Sequence, residues 1–529
     1  MPSRSLTTVL IVIAVGLACG HILSTQLVYE PNLHRKTVEP AKMGRPWPGE
    51  RPEPMPTFSS NDRSRWATIQ ALVDDGQYAV GQRNTRTLRA TFALNFAAAD
   101  PLHAVVLAEA GYHLRTRPEN QSGIIFQDGW QSVDKVLDPS TQQYYSSKPP
   151  FLSTLIAGLY WLLKSLTGWT LKTHAAEVVR TILLLVNVVP FAIYLSVLAR
   201  IGRRYAATEW SRLVVLSAGA FATMVTPFLL TLNNHTFATF SVLFGLASAL
   251  RIWEARTEGR PLPCWHFLLA GLFAGFAVVN EMPALAFWGG LFVLFLLWSP
   301  GKTLLLYVPP GLLLGAGFFL TNYLAVGQWT PVQASFGSPW YAYEGSHWTP
   351  PQPGEIRSGI DWAHQRESRA EYAQHLLIGH HGFFSLTPLW LVALVGLCFL
   401  CLRFASGTGQ ARPGTSAAGL APPEPATLLP WWLPPLALGL TLIVVAFYLF
   451  KSDNYGGWTN GPRWLMWLSP LLLVALYPAL DKLSACRWGR GLTYVCLAVS
   501  VLSANYRPWN PWRHPWLYDA LVWLGWPGY

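Results

Sequence analysis

Long apolar runs recur along the chain at about 6–23, 178–199, 208–230, 236–252, 265–280, 282–298, 304–325, 383–403, 430–450, 465–481 and 491–505. A helix of about this length crosses a hydrocarbon core, so the pattern predicts a bundle of membrane-spanning helices. Basic residues mark alternate connections: Arg200, Arg203 and Arg204; Arg251, Arg256 and Arg260; Lys302; Arg403 and Arg412; Lys482, Arg487 and Arg490. Lys and Arg in short loops favour the cytoplasm, and a marker after every second span fits one topology with a cytoplasmic N-terminus. The other connections then face outward, and they carry nearly every unusual polar residue. Phe151–Gly168 resists this scheme, because counting it as a span inverts everything after it. Either it dips in from the outer face, or the 178–201 region folds as a hairpin.

The expected organisation is an N-terminal signal-anchor helix (1–27), a first extracytoplasmic loop (28–150) and a transmembrane core (151–326). A second outer loop (327–382), C-terminal spans (383–505) and a Trp/Pro-rich outer tail (506–529) follow. The first loop opens with Pro46, Pro48, Pro52, Pro54 and Pro56, a linker composition. It then becomes amphipathic, with Trp66, Ile69, Leu72 and Val73 at helical spacing, Asn61 or Asp62 as N-cap and Gly76 as stop. The connection 405–427 is Gly/Ala/Pro-rich and reads as flexible.

Composition agrees. Of 529 residues, 51% are hydrophobic and only 12% charged, against roughly a quarter charged in soluble proteins. The net charge of +11 belongs to loops beside apolar spans, so nucleic acid is not an expected partner. The six Cys all lie in or beside apolar segments, so no disulfide framework is expected, and Cys398-x-x-Cys401 reads as ordinary buried cysteine. The tail from Pro508 to Trp516 reads as an interfacial aromatic belt, although Trp faces also stack on sugar rings.

Several outer residues can carry chemistry. Asp62 can act as a base toward an acceptor hydroxyl, or simply cap a helix. Lys148, held by Pro149 and Pro150 after Tyr144-Tyr145-Ser146-Ser147, can grip a lipid phosphate or snorkel to the interface. Glu281, in Asn280-Glu281-Met282-Pro283, is a carboxylate at a turn between two spans, where an ionisable group is costly. His380 and His381 can ligate a metal or bind phosphate; adjacent helical residues diverge, so one of the two is expected at a site. In Asp453–Trp464, three glycines allow close backbone approach to a ligand, and Arg463 can fork onto a phosphate.

The stretch Asp62-Arg63-Ser64-Arg65-Trp66, with Ala67, Ile69, Ala71, Leu72 and Gly76, followed by Lys148-Pro149-Pro150, resembles the first outer loop of GT-C glycosyltransferases. The branch it is most similar to holds the protein O-mannosyltransferases and aminoarabinose lipid A transferases. The resemblance implies an all-α GT-C-like bundle of about 11–13 transmembrane helices. It also implies a polyprenyl- or dolichyl-phosphate sugar donor, a lipid, glycan or protein acceptor and inverting transfer at the outer face. Asp62 would be catalytic, with Glu281 in reserve; Lys148, Arg463 and Tyr145 would bind lipid phosphate. Asn233, Asn234, His235, His380, His381 and Tyr455 would line the substrate. The chain departs from the pattern where acids are expected, at Arg63, Ser147 and Asn234. No metal ligand set is therefore assigned, although a divalent metal stays open. A transporter or flippase of lipid-linked sugars, or a non-catalytic lipid-phosphate binder, are the other classes. Transporters place charge near the midplane, whereas here it gathers near one surface. A bacterial inner membrane is the expected location.

Overall fold

The computed structural model describes residues 2–24, 34–35, 45–46, 56–83, 121–127, 129–357, 359–405 and 429–526. Most of the Pro-rich linker and of the 405–427 connection lie outside the described residues. The chain is an all-helical polytopic membrane protein. Among the described residues seven helices are long and apolar enough to cross a membrane. These include α1 (Pro2–Ser24), α4 (Ala175–Tyr205), α6 (Asn234–Thr257), α9 (Pro300–Val326), α12 (Leu433–Lys451) and α13 (Arg463–Leu483). The seventh, Glu209–Phe228, opens with helix α5 (Glu209–Phe221). Shorter apolar helices α7 (Cys264–Asn280), α8 (Leu285–Trp298) and α11 (Leu389–Ala405), and the more polar α14 (Arg487–Asn505), occupy the remaining predicted spans. The other helices are α2 (Ser60–Asp74), α3 (Pro150–Thr167), α10 (Arg369–Leu377) and α15 (Trp516–Trp523).

The contacts divide the chain into two compact units. The larger comprises 1–24, 183–315 and 356–529. At its heart lies α13, in which Leu471 to Leu476 are fully buried, with α6 packed against α7. Gly271 permits a close approach, since a Cβ there would lie 2.0 Å from the Tyr307 carbonyl. Leu297, Leu305, Leu312, Leu313, Val395 and Leu402 are exposed, as a lipid-facing surface requires. Both π-turns, Leu184–Val188 and Thr303–Tyr307, precede prolines (Pro190; Pro309 and Pro310). Proline supplies no N–H and crowds the preceding turn, and a widened turn relieves that.

The two ends of this unit are chemically distinct. At one end Arg204 pairs with Glu258 (3.0 Å), Tyr205 donates to Glu254 (3.0 Å), and Asp481 accepts the N–H groups of Ala207 (2.8 Å) and Thr208 (2.9 Å). These groups all flank the Arg-marked connections. At the other end Asn187 donates to the Leu229 and Thr231 carbonyls, and Asn505 to that of Phe221. The region 178–201 forms one continuous helix, so the hairpin alternative is excluded.

The smaller unit comprises 25–182 and 316–355. Short strands β1 (His34–Arg35) and β2 (Arg45–Pro46) pair in parallel. Strands β3 (Gly81–Arg83), β4 (Gln121–Ser122), β5 (Lys135–Leu137) and β6 (Gln143–Ser146) form an antiparallel sheet in the order β4-β3-β6-β5. Val136 packs with Val332, Trp340 and Tyr341. Helix α2 is capped by Ser59, which accepts the Asp62 N–H (3.3 Å), rather than by Asn61 or Asp62. The helix stops at Asp74, and Gly76 adopts φ +66° just beyond it.

Helix α3 starts on Pro150 and ends where Gly168 turns left-handed (φ +76°). It packs against α2, joined by Tyr160 Oη to Asp74 (3.1 Å) and Lys164 Nζ to Asp74 (2.7 Å). Its other face exposes Leu155, Leu159, Leu162 and Leu166. The α2 face buries Asn61, Asp62, Ser64, Arg65, Thr68 and Gln70. The face of α3 that packs inward is apolar as well, with Phe151, Leu152, Ile156 and Ala157 buried.

Candidate functional site

Helix α7 ends at Asn280, and the Pro283-containing 3₁₀ turn Met282–Ala284 follows, which leaves Glu281 at the corner between two spans. Its side chain is only 5% exposed. Asn234 donates to Glu281 Oε1 (2.5 Å) and to the Asn280 carbonyl (2.8 Å), and His235 Nδ1 is in ion-pair contact with the same carboxylate oxygen. Asn234 and His235 occupy the first turn of α6, whose N-cap is Asn233. The Asn233 amide accepts the Thr236 N–H (2.9 Å) and donates to the Phe228 carbonyl (2.9 Å). Both ends of this amide serve the backbone, as an N-cap requires.

Arg463 opens α13 and stacks its guanidinium on Trp512 (4.6 Å). Trp512 also meets Phe228 edge-on, which in turn meets His235. Tyr448 stacks on Trp464 (4.8 Å) and lies within electrostatic reach of both Glu281 and Arg463. The arrangement thus brings Asn234, His235, Glu281 and Arg463 to one end of the larger unit. Gly456 at φ +87° packs on Arg463, where a Cβ would stand 3.3 Å from Nε. Trp512 is buried, so it departs from the interfacial belt, to which exposed Trp509 still conforms. Cys398 is likewise exposed on α11 rather than buried.

A second cluster gathers His375, His380, His381, His514, Glu367, Tyr455 and Tyr518. His380 and His381 are fully buried and share a hydrogen bond between their Nδ1 atoms (2.6 Å). Tyr455 donates to Glu367 (2.5 Å) and stacks on His381 (5.0 Å). Burial, then the neighbouring histidines, pushes His380 down to about 3 and His381 well below the usual imidazole range. Burial likewise lowers His514 to about 4, against the pull of Asp519, and raises Glu367. Glu367, His375 and His380 each offer one ligand atom, all within 4.8 Å of one another, so these three can hold a metal ion.

In the smaller unit Asp62 is fully buried, and its carboxylate accepts the Phe58 N–H (3.1 Å). The Asp62 and Lys148 motifs are knitted together: Ser64 Oγ bonds Ser146 Oγ (2.6 Å) and donates to the Asp134 carbonyl (2.5 Å). Lys148 Nζ pairs with Asp134 Oδ1 (2.7 Å), which also accepts from Ser147 Oγ (3.4 Å). Tyr145 donates to Gln143 (2.8 Å). Arg63 donates to the Gln131 carbonyl (3.3 Å). The positions where the resemblance implies metal-supporting acids hold Arg63, Ser147 and Asn234, of which none supplies a carboxylate. The residues there do not fit that metal.

Asp134, Glu367, His375, Tyr448 and His514 were not singled out in the sequence. Asp134 stands fourteen positions before Lys148 in an ordinary polar loop. The spacing of Glu367, His375 and His380 around one short helix was the available signal for the second cluster.

No protein-family model matches the chain, and no curated protein matches it. Two solved structures of the Archaeoglobus fulgidus oligosaccharyltransferase are loosely similar. The apo form aligns with TM-score 0.42 and 11% identity over 97% of this chain and 58% of its own. The complex with Zn and sulfate aligns with TM-score 0.40 and 13% identity over 72% of this chain and 47% of its own. The chain therefore spans about half the length of these structures. Any functional reading rests on its own residues.

Proposed function

We propose that the chain is a GT-C-like membrane glycosyltransferase that moves a sugar from a polyprenyl-phosphate donor to an acceptor hydroxyl on the extracytoplasmic face. The observation that carries the reading is the buried Glu281 carboxylate, oriented by Asn234 and His235, with Arg463 linked to His235 through the rings of Trp512 and Phe228. In an inverting transfer the acceptor attacks the anomeric carbon, the bond to the lipid phosphate breaks, and the acceptor proton passes to a base. Glu281 is suited to take that proton. Arg463 is suited to the negative charge growing on the departing phosphate. Asp62 and Lys148 are the base and phosphate ligand that the sequence resemblance implies. A lipid, a glycan and a protein acceptor all leave this chemistry unaltered.

Thr239 and Ser248 donate to carbonyls of their own helix, at His235 (2.7 Å) and Phe244 (3.0 Å). The polar groups that the reading uses, Asn234, His235, Glu281 and Arg463, lie at the ends of their helices rather than in mid-span, which favours transfer over transport. The test is sugar transfer from polyprenyl-phosphate hexoses by purified protein, comparing wild type with Asp62→Asn and Lys148→Ala. Loss of transfer in both supports the implied roles, and undiminished transfer by both removes those two assignments. Vectorial movement of the donor without transfer overturns the enzymatic reading.

A further inference from the structure

We propose that Glu367, His375 and His380 form a binding site for a divalent transition metal of the zinc class. The site stands on local geometry and does not depend on the glycosyltransferase reading. The chain builds it compactly. Glu367 directly precedes the capping box of α10, in which Ser368 and Glu371 satisfy each other's backbone N–H. His375 lies in the last turn of that helix. The chain then folds back through Gly379, where a Cβ would stand 2.7 Å from the His375 Cα, a proximity only glycine allows. The fold-back lays the His380 ring on His375, with centroids 4.0 Å apart. His375 Nε2 stands 3.9 Å from Glu367 Oε1.

Two further observations point to a ligand. His380 Nε2 is buried without a hydrogen-bond partner, and His380 is fully enclosed. A buried polar atom left unpaired costs about 1–3 kcal/mol, and coordination removes that cost. The surrounding contacts also have the form that metal ligands take. His380 uses its other nitrogen, Nδ1, on His381 (2.6 Å), and Glu367 uses its other oxygen on Tyr455 (2.5 Å). Such outer contacts fix ring orientation and leave the remaining atom to the metal.

In a tetrahedral site the ligand atoms stand about 3.4 Å apart, against 4.8 Å or less here. Closure requires each ligand atom to move by about 1 Å or less and one imidazole to turn out of the His375–His380 stack, because the lone pairs of two stacked rings lie in nearly parallel planes. Two imidazoles and a carboxylate suit zinc and its first-row neighbours rather than magnesium or calcium. Three protein ligands leave a fourth position for water or another oxygen donor.

The test uses full-length protein purified without a polyhistidine tag. Elemental analysis after dialysis against zinc should find stoichiometric metal, and cobalt should give the visible ligand-field bands of a low-coordinate site. Zinc should raise the thermal midpoint, and a chelator should reverse the rise. His380→Ala and Glu367→Gln should each weaken binding roughly tenfold or more, while His174→Ala, at an exposed histidine elsewhere, should not. Absence of bound zinc and of cobalt bands in the wild-type protein overturns the site, as does unchanged affinity in folded His380→Ala and Glu367→Gln proteins.

Discussion

Replacing Glu281 by Gln preserves the shape of the side chain and removes its charge, and the surroundings of Glu281 make two separable outcomes calculable. One carboxylate oxygen meets the Asn234 amide at 2.5 Å and is in contact with His235. Gln can still accept from Asn234 through its carbonyl oxygen, but the charge assistance is lost. A buried hydrogen bond to a charged group contributes about 1.5–3 kcal/mol, so the thermal midpoint should fall modestly. If Glu281 takes the acceptor proton, the turnover number should drop far more. A positioned base is worth about 10²–10⁴ in rate, or roughly 2.7–5.4 kcal/mol of barrier. The assay is initial-rate sugar transfer in lipid nanodiscs with saturating polyprenyl-phosphate donor, beside a thermal melt of the same preparation. Asn234→Ala keeps the carboxylate but loosens its orientation, and should lie between wild type and Glu281→Gln in turnover. A folded Glu281→Gln protein that turns over within about threefold of wild type would refute the role, because threefold is under 1 kcal/mol.

Lys148→Ala should raise the KM for the phosphate donor roughly tenfold, about the worth of one charge-assisted contact. Asp134→Asn, which removes the partner of Lys148 at 2.7 Å, should in addition lower the thermal midpoint. Gly271→Ala puts a methyl group 2.0 Å from the Tyr307 carbonyl, so it should destabilise the bundle by about 1–3 kcal/mol or more, read as a fall in thermal midpoint, whereas Gly439→Ala, with open space around it, should not. His514, lowered to about 4 by burial, stays neutral in the folded protein while its unfolded counterpart protonates below about 6.5. Its contribution is therefore fully present above that value and is lost as pH falls toward 4, with a slope of up to about 1.4 kcal/mol per pH unit. His514→Asn should flatten the melting profile across that window.

What could be read along the chain, and what could not, follows from the kind of information each feature carries. A span is a local property: Asn234–Thr257 or Leu433–Lys451 declares itself by apolar length alone, so the all-helical membrane fold was legible before any contact was known. Helix ends were less so. The α2 cap is Ser59 rather than Asn61 or Asp62 because four consecutive residues, Ser59 to Asp62, can each supply a capping oxygen, and only the local backbone selects among them. Glu281 stood out because a carboxylate between two spans is too costly to be incidental. Its companions differ. Asn234 and His235 lie close to 46 positions away, and only the packing of α6 on α7 brings them to the carboxylate. Asp134, Glu367, His375 and His514 each look, in sequence, like ordinary solvated residues of polar loops. Their character comes from burial and from one another, as when Gly379 folds His380 onto His375. Trp512 makes the same point from the other side. In a tail rich in Trp and Pro it is indistinguishable from Trp509, yet one is exposed and the other lies beneath the Arg463 guanidinium. Chemistry assembled from separate loops is thus visible only as a list of candidates until the helices that carry those loops are packed.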